Sequence, residues 1–172
     1  LSSYIPTQGS ASTRVAETAS GSGNSGVFND SEGVLFADIS ALANSGNSRR
    51  ISISHPSYDT SNRVTLEVDE VTSTIKAFMS SGNSLVGGLT VNNINQTQNN
   101  KIAILYKANT FEIYINGFLS DSDYVVASLP IGLSRIQFEG ANGSNPFYGK
   151  TKEIAYYDTV LTDIELETLT SY

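Results

Sequence analysis

Two carboxylates at neighbouring positions on one predicted strand are the first candidates for chemistry in this sequence. Glu67 and Asp69 stand two residues apart, and in a strand such residues point to the same face, about 6.6 Å apart along the chain. Two carboxyl groups at a similar separation act together in retaining glycoside hydrolysis, one as nucleophile and the other as acid and base. The spacing alone therefore allows glycoside hydrolysis.

The residues that follow this pair argue against catalysis. The run from Glu67 to Glu70 resembles a truncated form of the E-x-D-x-x-E or E-x-D-x-E motif of laminarinase-type β-glucanases, which share a jelly-roll fold. Val71 and Thr72 stand where the second glutamate of that motif belongs, so the motif lacks its general acid. We predict that the chain is not an enzyme and that both carboxylates lie on a solvated strand face.

The single histidine, His55, offers no other catalytic arrangement. It stands between two predicted strands, and serine is so frequent along the chain that a serine near it carries no information. The sequence contains neither a G-x-S-x-G elbow nor an H-E-x-x-H pair. It also contains no cysteine, which excludes disulfides and thiolate zinc ligands.

Calcium is the one metal for which the sequence offers oxygen ligands. Asp121 and Asp123 stand in SDSDY, and Asp59 and Asn62 stand in YDTSN, and carboxylate and amide oxygens are calcium ligands. Neither spacing fits an EF-hand, and ordinary Asx turns explain both stretches. We predict no cofactor, and a structural calcium ion stays an open alternative.

A mixed polar and aromatic surface is the better candidate for a site. In Arg50–Ser54 and Arg63–Val68, aliphatic residues alternate with polar ones, so one face of this predicted hairpin is apolar and the other polar. Sugars bind through several hydrogen bonds and by packing against an aromatic ring. The candidate sugar-binding residues are Arg50, Ser52, His55, Tyr58, Arg63, Asn142, Asn145 and Tyr148.

The last three candidates belong to the loop EGANGSNPFYG over residues 139–149. Phe147 and Tyr148 either present aromatic surface to a sugar or anchor the loop to the core. In the same way, the arginines of the hairpin either bind a ligand or simply stay solvated. The sequence leaves both alternatives open.

Period-two alternation recurs along most of the chain and predicts the elements that position these residues. The predicted strands are RRISIS, NRVTLEV, STIKAFM, KIAILY, FEIYI, RIQF and EIAYY, with GVLFADI as a central strand that is buried on both faces. Asn116 and Gly117 predict a type I′ turn. Thr162 and Glu165 predict a capped C-terminal helix with an apolar stripe that includes Ile164 and Leu166. Many short strands and one helix predict an all-β sandwich.

Composition restricts the partners and the number of domains. The 172 residues carry a formal net charge of −7, which opposes binding to nucleic acids and to anionic membranes. No apolar run is long enough to insert across a bilayer. Pro6 and Gly9 interrupt the N-terminal stretch, so we predict a linker from an upstream module over residues 1–12 and one domain over residues 13–172.

Four longer stretches together resemble a known family. The sequence is similar to concanavalin A-like, laminin-G-like domains of tailed-bacteriophage structural and tail-fibre proteins. The stretches that carry the resemblance are SYIPTQGSASTRVAE, GVLFADISALANSGNSRRISIS, NKIAILYKANTFEIYINGF and SNPFYGKTKEIAYYDTVLTDIELETLT.

The resemblance implies a fold and a class of function. The implied fold is a concanavalin A-like jelly-roll β-sandwich with a short C-terminal helix. The implied function is adhesion by non-catalytic binding of a host or environmental glycan, a polysaccharide or a cell-surface glycan, on a virion or another extracellular surface. The alternative is a purely structural virion module that contacts neighbouring domains or subunits without binding sugar.

Overall fold

Ten strands and one helix make up the regular structure of the residues that are described. The computed structural model describes residues 22–42, 47–57, 60–69, 73–124, 126 and 128–172. The predicted linker over residues 1–12 and the candidate Tyr58 lie outside these residues. The elements are β1 (Glu32–Ala41), β2 (Ser48–Ser54), β3 (Arg63–Asp69), β4 (Thr74–Ser81), β5 (Ser84–Val91), β6 (Asn100–Lys107), β7 (Thr110–Ile115), β8 (Phe118–Asp123), β9 (Arg135–Gln137), β10 (Gly149–Tyr157) and α1 (Asp163–Thr170).

The strands form two five-stranded sheets with antiparallel neighbours. We call the sheet with the order β5-β4-β3-β2-β9 the front sheet and the sheet with the order β10-β1-β6-β7-β8 the back sheet. The predicted all-β class, the jelly-roll sandwich and the short C-terminal helix are confirmed. No helix among the described residues is long and apolar enough to cross a membrane.

The main core lies between the two sheets and is built from the aliphatic half of each alternating strand. Ile51 and Ile53 of β2 and Leu66 of β3 are almost completely buried, as is Ile113 of β7 on the opposite sheet. Since successive residues of a strand point to opposite faces, the polar residues between them point away from the core. The polar residues of the front-sheet strands therefore lie on the outer face of that sheet.

The central strands of the back sheet, β1, β6 and β7, are buried on both faces, which explains their continuous apolar runs. On its outer face, Val34, Phe36 and Leu105 pack around Leu166 of α1 in a second cluster. The predicted capping box is present, with Thr162 and Glu165 in reciprocal hydrogen bonds. The predicted apolar stripe wrongly included Ile164, which is 76% exposed, whereas Leu166 is buried.

One turn was predicted correctly from the sequence, and one strand was missed. Asn116 and Gly117 have φ angles of 52° and 90°, as the predicted type I′ turn requires. Strand β5 was not predicted, because Gly87 and Gly88 interrupt its alternation. A Cβ atom at Gly87 would lie 2.9 Å from the ring of Phe111 on the back sheet, so the glycine allows the two sheets to approach each other here.

Candidate functional site

The outward face of the front sheet brings together most of the polar residues that the sequence singled out. In register, Arg50 lies beside Glu67, Ser52 beside Thr65, and Ser54 beside Arg63. Strand β4 places Lys76 and Phe78 on the same face, and β9 adds Arg135 and Gln137. We call this surface the front face; its residues are Arg50, Ser52, Ser54, Arg63, Thr65, Glu67, Asp69, Lys76, Phe78, Arg135 and Gln137.

A network of ion pairs joins three neighbouring strands at one end of the front face. Arg50 Nε lies 2.6 Å from Glu67 Oε2, and Lys76 Nζ lies 2.6 Å from Asp69 Oδ2 and 3.7 Å from Glu67 Oε1. The two carboxylates are buried, at 5% and 7% exposure. The prediction of a solvated strand face was therefore wrong, because neighbouring basic side chains cover and neutralise both carboxylates.

An aromatic ring lies beneath two guanidinium groups on the front face. The Cζ atoms of Arg50 and Arg63 lie 5.2 Å and 5.1 Å from the ring centroid of Phe78. The face of an aromatic ring is electronegative and attracts cations at this distance. Phe78 therefore holds two like charges near one another at the centre of the sheet.

Two buried polar atoms near Phe78, one of them in the guanidinium group of Arg63, have no hydrogen-bond partner. They are Arg63 Nε and Thr65 Oγ1, which are both buried. Desolvation lowers the pKa of Arg63, and the nearby charge of Arg50 lowers it further, while Glu67 raises it. The charged guanidinium of Arg63 is thus held in a less favourable environment than that of Arg50, which has a carboxylate partner.

The segment over residues 138–148 folds over one side of the front face. Ser52 Oγ donates to the carbonyl of Glu139 at 2.6 Å, and Gln137 Nε2 donates to the carbonyl of Gly140 at 2.7 Å. Ser52 and Ser54 are completely buried as a result. Ser52 was predicted to lie on an open sugar-binding surface; instead, it anchors this covering segment.

The candidate residues of the covering segment have local roles in its shape. Asn142 Oδ1 accepts hydrogen bonds from the backbone and side chain of Ser144 in an Asx turn. Asn145 takes a positive φ of 52°, and its carbonyl accepts from Arg50 N. Phe147 is buried and anchors the segment. Tyr148 lies outside the core, with its ring 4.7 Å from Arg49 Cζ.

His55 lies apart from the centre of the front face. It follows the end of β2, and its Nδ1 is 2.7 Å from Ser57 Oγ. Its ring packs so closely against Gly132 that a Cβ atom there would lie 2.6 Å from Cδ2. The structure therefore brings Arg50, Ser52 and Arg63 together and leaves His55 in a packed loop at the end of the sandwich.

Of the residues considered for calcium, Asp59 lies outside the described residues, while Asp121 and Asn62 form ordinary turn and strand contacts. Asp121 accepts from the backbone amides of Thr90 and Ser122, and Asn62 Oδ1 accepts from those of Gly82 and Ile131. Within the part of the chain that the structure describes, no group of three or more acidic, histidine or cysteine side chains is placed to hold a metal.

The residues that the sequence interpretation missed lie on β4 and β9. Phe78, Lys76 and Gln137 alternate with core residues in the same way as their neighbours on β2 and β3. That alternation was a usable signal for their direction. Their position beside Arg50 and Arg63 depended on strand order, which alternation does not specify.

Comparison with known proteins gives structural neighbours only. No family model and no curated protein matches the sequence. Among solved structures, the chain is similar to the CBM40 of the Ruminococcus gnavus IT-sialidase bound to α2,3-sialyllactose, with a TM-score of 0.68, 14% identity, and coverage of 83% of this chain and 84% of the other.

Two further neighbours share the sandwich. Domain 4 of AbnA, a GH43 extracellular arabinanase from Geobacillus stearothermophilus, in complex with arabinotriose, has a TM-score of 0.61 and 15% identity, over 87% of this chain and 70% of the other. The SAP-like pentraxin from Limulus polyphemus has a TM-score of 0.62 and 13% identity, over 81% and 70%. At these identities the likeness establishes the fold.

Proposed function

We propose that this chain is a non-catalytic carbohydrate-binding module whose site is the front face. One observation carries the proposal: a half-buried aromatic ring and two partly exposed arginines meet at one place on this face. Phe78 supplies the ring, and the guanidinium groups of Arg50 and Arg63 supply the hydrogen-bond donors beside it. Glycan sites combine several directed polar groups with an apolar ring surface in this way.

The structural neighbours support a binding function for this fold. Two of the three were solved with an oligosaccharide present, sialyllactose in one and arabinotriose in the other. This chain spans most of the length of both. The likeness to these two structures therefore extends over most of each sugar-bound domain.

The carboxylates of the front face are engaged in ways that do not suit acid–base catalysis. Glu67 and Asp69 both contact basic side chains at 2.6 Å. A general acid must present its carboxyl group to the substrate, and both of these carboxylates are buried against basic side chains instead. This arrangement supports a binding role in which the two carboxylates orient Arg50 and Lys76.

We also propose that the module acts in adhesion on a bacteriophage structural or tail-fibre protein, at the surface of the virion. This part of the proposal rests on the resemblance of four sequence stretches to such proteins. Other domains or subunits of the virion protein would then be its neighbours, and the glycan would be one of the host surface or its environment. Mass spectrometry of purified particles, with this chain among the detected peptides, tests that context.

A glycan array tests the binding function directly. We expect the wild-type chain to retain a subset of glycans and Phe78→Ala to lose them, because the ring that positions both guanidinium groups is removed. Phe118→Ala is the matched control, since Phe118 is 73% exposed on β8 of the other sheet. Circular dichroism of both variants is the check that each is folded. Wild-type protein that binds no glycan on the array or from host polysaccharide contradicts the proposal.

A purely structural role in a virion is the second candidate, and one observation favours it. The edge strands β5 and β8 expose large apolar side chains, with Leu85 at 68% and Phe118 at 73%. Exposed apolar side chains at a sheet edge are typical of surfaces that contact other proteins. If Phe118→Ser prevents particle assembly while glycan-array binding is absent, the structural role is correct.

A further inference from the structure

The basic side chains of the front face contrast with the rest of the molecule. The chain has a formal net charge of −7. The charged residues of the front face are Arg50, Arg63, Lys76, Arg135, Glu67 and Asp69. The cations outnumber the carboxylates there, so an acidic protein presents a locally positive surface. A neutral glycan does not require this concentration of positive charge.

The pairing of these charges is uneven. Glu67 accepts from Arg50 and contacts Lys76, and Asp69 contacts Lys76. Arg135 contacts Ser54 and the carbonyl of Ala141. Arg63 is different: among the described residues it forms no ion pair within 4 Å, and its buried Nε has no hydrogen-bond partner.

Among the described residues, the guanidinium group of Arg63 has no anionic partner. Its guanidinium is partly desolvated, lies near the like charge of Arg50, and is held over Phe78. A buried donor without an acceptor is unfavourable, and more so when the donor is charged. A planar guanidinium is matched best by an oxyanion that accepts two parallel hydrogen bonds.

We propose that the front face recognises an acidic glycan, with the partly exposed Arg63 as the residue that binds its oxyanion. This inference rests on the proposed glycan-binding function and specifies the chemical class of the ligand. The shared chemistry is an oxyanion carried on a sugar, either a carboxylate or a sulfate ester. Phe78 positions the guanidinium, and Glu67 holds Arg50 so that the second cation stays close by.

Matched acidic and neutral sugars test the proposal. The probes are oligogalacturonate, its methyl ester, and a sulfated galacto-oligosaccharide with its desulfated form, each titrated by NMR into isotope-labelled protein. We expect the acidic member of at least one pair to bind about tenfold or more tightly, as the loss of one charge-assisted hydrogen bond implies. Sodium sulfate alone should bind far more weakly than the acidic sugar. The preferred pair identifies carboxylate or sulfate as the recognised group.

Variants of one residue separate charge from geometry. Arg63→Gln should reduce affinity for the acidic probe about tenfold and reduce affinity for its neutral partner by a clearly smaller factor, because only the acidic probe loses a charge-assisted hydrogen bond. Arg63→Lys keeps the charge without the planar fork, so we expect an intermediate affinity and a folded protein even where Arg63→Gln is unstable. Lys152→Gln on β10 is the matched control, because Lys152 is exposed and lies on the other sheet.

The outcomes distinguish this inference from the function on which it rests. Equal binding of neutral and acidic sugars, with shifts on the front face, overturns the inference and leaves the glycan-binding function standing. Equal effects of Arg63→Gln and Lys152→Gln also overturn it, as does sulfate alone binding as tightly as the acidic sugar. Absence of any sugar binding, on an array as well as in the titrations, overturns both. A preference for acid that Arg63→Gln abolishes supports both.

Discussion

At the scale of single residues, ion pairs between side chains of neighbouring strands add to the backbone hydrogen bonds of the front sheet. Glu67 is buried at 5% exposure between Arg50 and Lys76. A buried carboxylate is tolerated only when it is paired and hydrogen bonded. Its partners are partly exposed, with side-chain exposures of 24% and 32%, so solvent screens part of the attraction.

Substitution of Glu67 by Gln tests this pairing. We expect the free energy of unfolding to fall by about 1–3 kcal/mol, because charge-assisted hydrogen bonds of this kind are lost while the cations remain. Urea denaturation of the unliganded protein measures the change. Glu153→Gln removes the same charge from an exposed position on β10 and should alter stability by less than about 0.5 kcal/mol. Equal losses in the two variants would show that the ion pairs contribute nothing specific.

A pair of tyrosines on the back sheet provides a pH-dependent test. Tyr106 Oη donates to the carbonyl of Asn29 at 2.5 Å and lies 2.8 Å from Tyr156 Oη. Burial, and then the hydrogen bond with Tyr156, raise the pKa of Tyr106 well above that of a free phenol. The folded state therefore favours the neutral phenol. Its stabilisation is complete below pH about 10 and is lost as the pH rises further.

Tyr106→Phe should change the alkaline end of the stability profile. Wild-type stability should decline above pH 10, and the variant's decline should be shallower by up to about 1.4 kcal/mol per pH unit, which is the contribution of one proton. Denaturation between pH 8 and 11.5 measures both slopes. Tyr172→Phe, at a residue that is 79% exposed, should keep the wild-type slope. Parallel curves for Tyr106→Phe and wild type would rule out the buried phenol as the cause.

At the scale of elements, the helix α1 acts as a cover for the back sheet. Leu166 is completely buried, while Ile164 two residues earlier is 76% exposed. Leu166→Ala should reduce the free energy of unfolding by about 2–5 kcal/mol, through lost burial and a residual cavity. Ile164→Ala on the same helix should change it by less than about 0.5 kcal/mol. Thermal and urea unfolding compare the two, and similar effects would mean that the helix is not docked through Leu166.

The same scale shows how far sequence patterns reach. Alternation predicted most strands and the inward direction of Ile51 and Leu66, because a half-buried strand imposes that period on its sequence. It could not predict β5, where a side chain larger than that of Gly87 would collide with the ring of Phe111 on the opposite sheet. This steric requirement depends on how the two sheets pack together, which the local sequence does not specify. Local chemistry did suffice for the turn at Asn116 and the helix cap.

The candidate site was predicted less completely than the fold. Arg50 and Arg63 share the front face as expected, since both belong to the polar half of one hairpin. The burial of Ser52 under residues 138–148 depends on a contact between segments far apart in sequence. The position of Phe78 depends on β4 lying beside β3. These contacts come from strand order and loop packing, which no local pattern in the sequence specifies.

At the scale of the whole molecule, the charge distribution limits the affinity of a single site. The net charge of −7 repels an anionic polysaccharide at long range, and the positive front face attracts it only at short range, since physiological salt screens charges beyond about 8 Å. Phe78 is the single aromatic residue among the eleven residues that make up the front face. Binding by one copy should therefore be weak, and display of several copies should compensate for it.

Multivalent presentation tests this consequence. A trimeric fusion of the chain should bind a surface coated with the glycan that the array identifies about 10²–10⁴ times more tightly than the monomer, because the second and third contacts are intramolecular once the first has formed. Surface plasmon resonance at low and high glycan density measures the gain, which should vanish at low density, where neighbouring sites are out of reach. A trimer that carries Arg63→Gln in every copy should lose the gain. A monomer that binds as tightly as the trimer at high density would show that the front face needs no neighbouring copies.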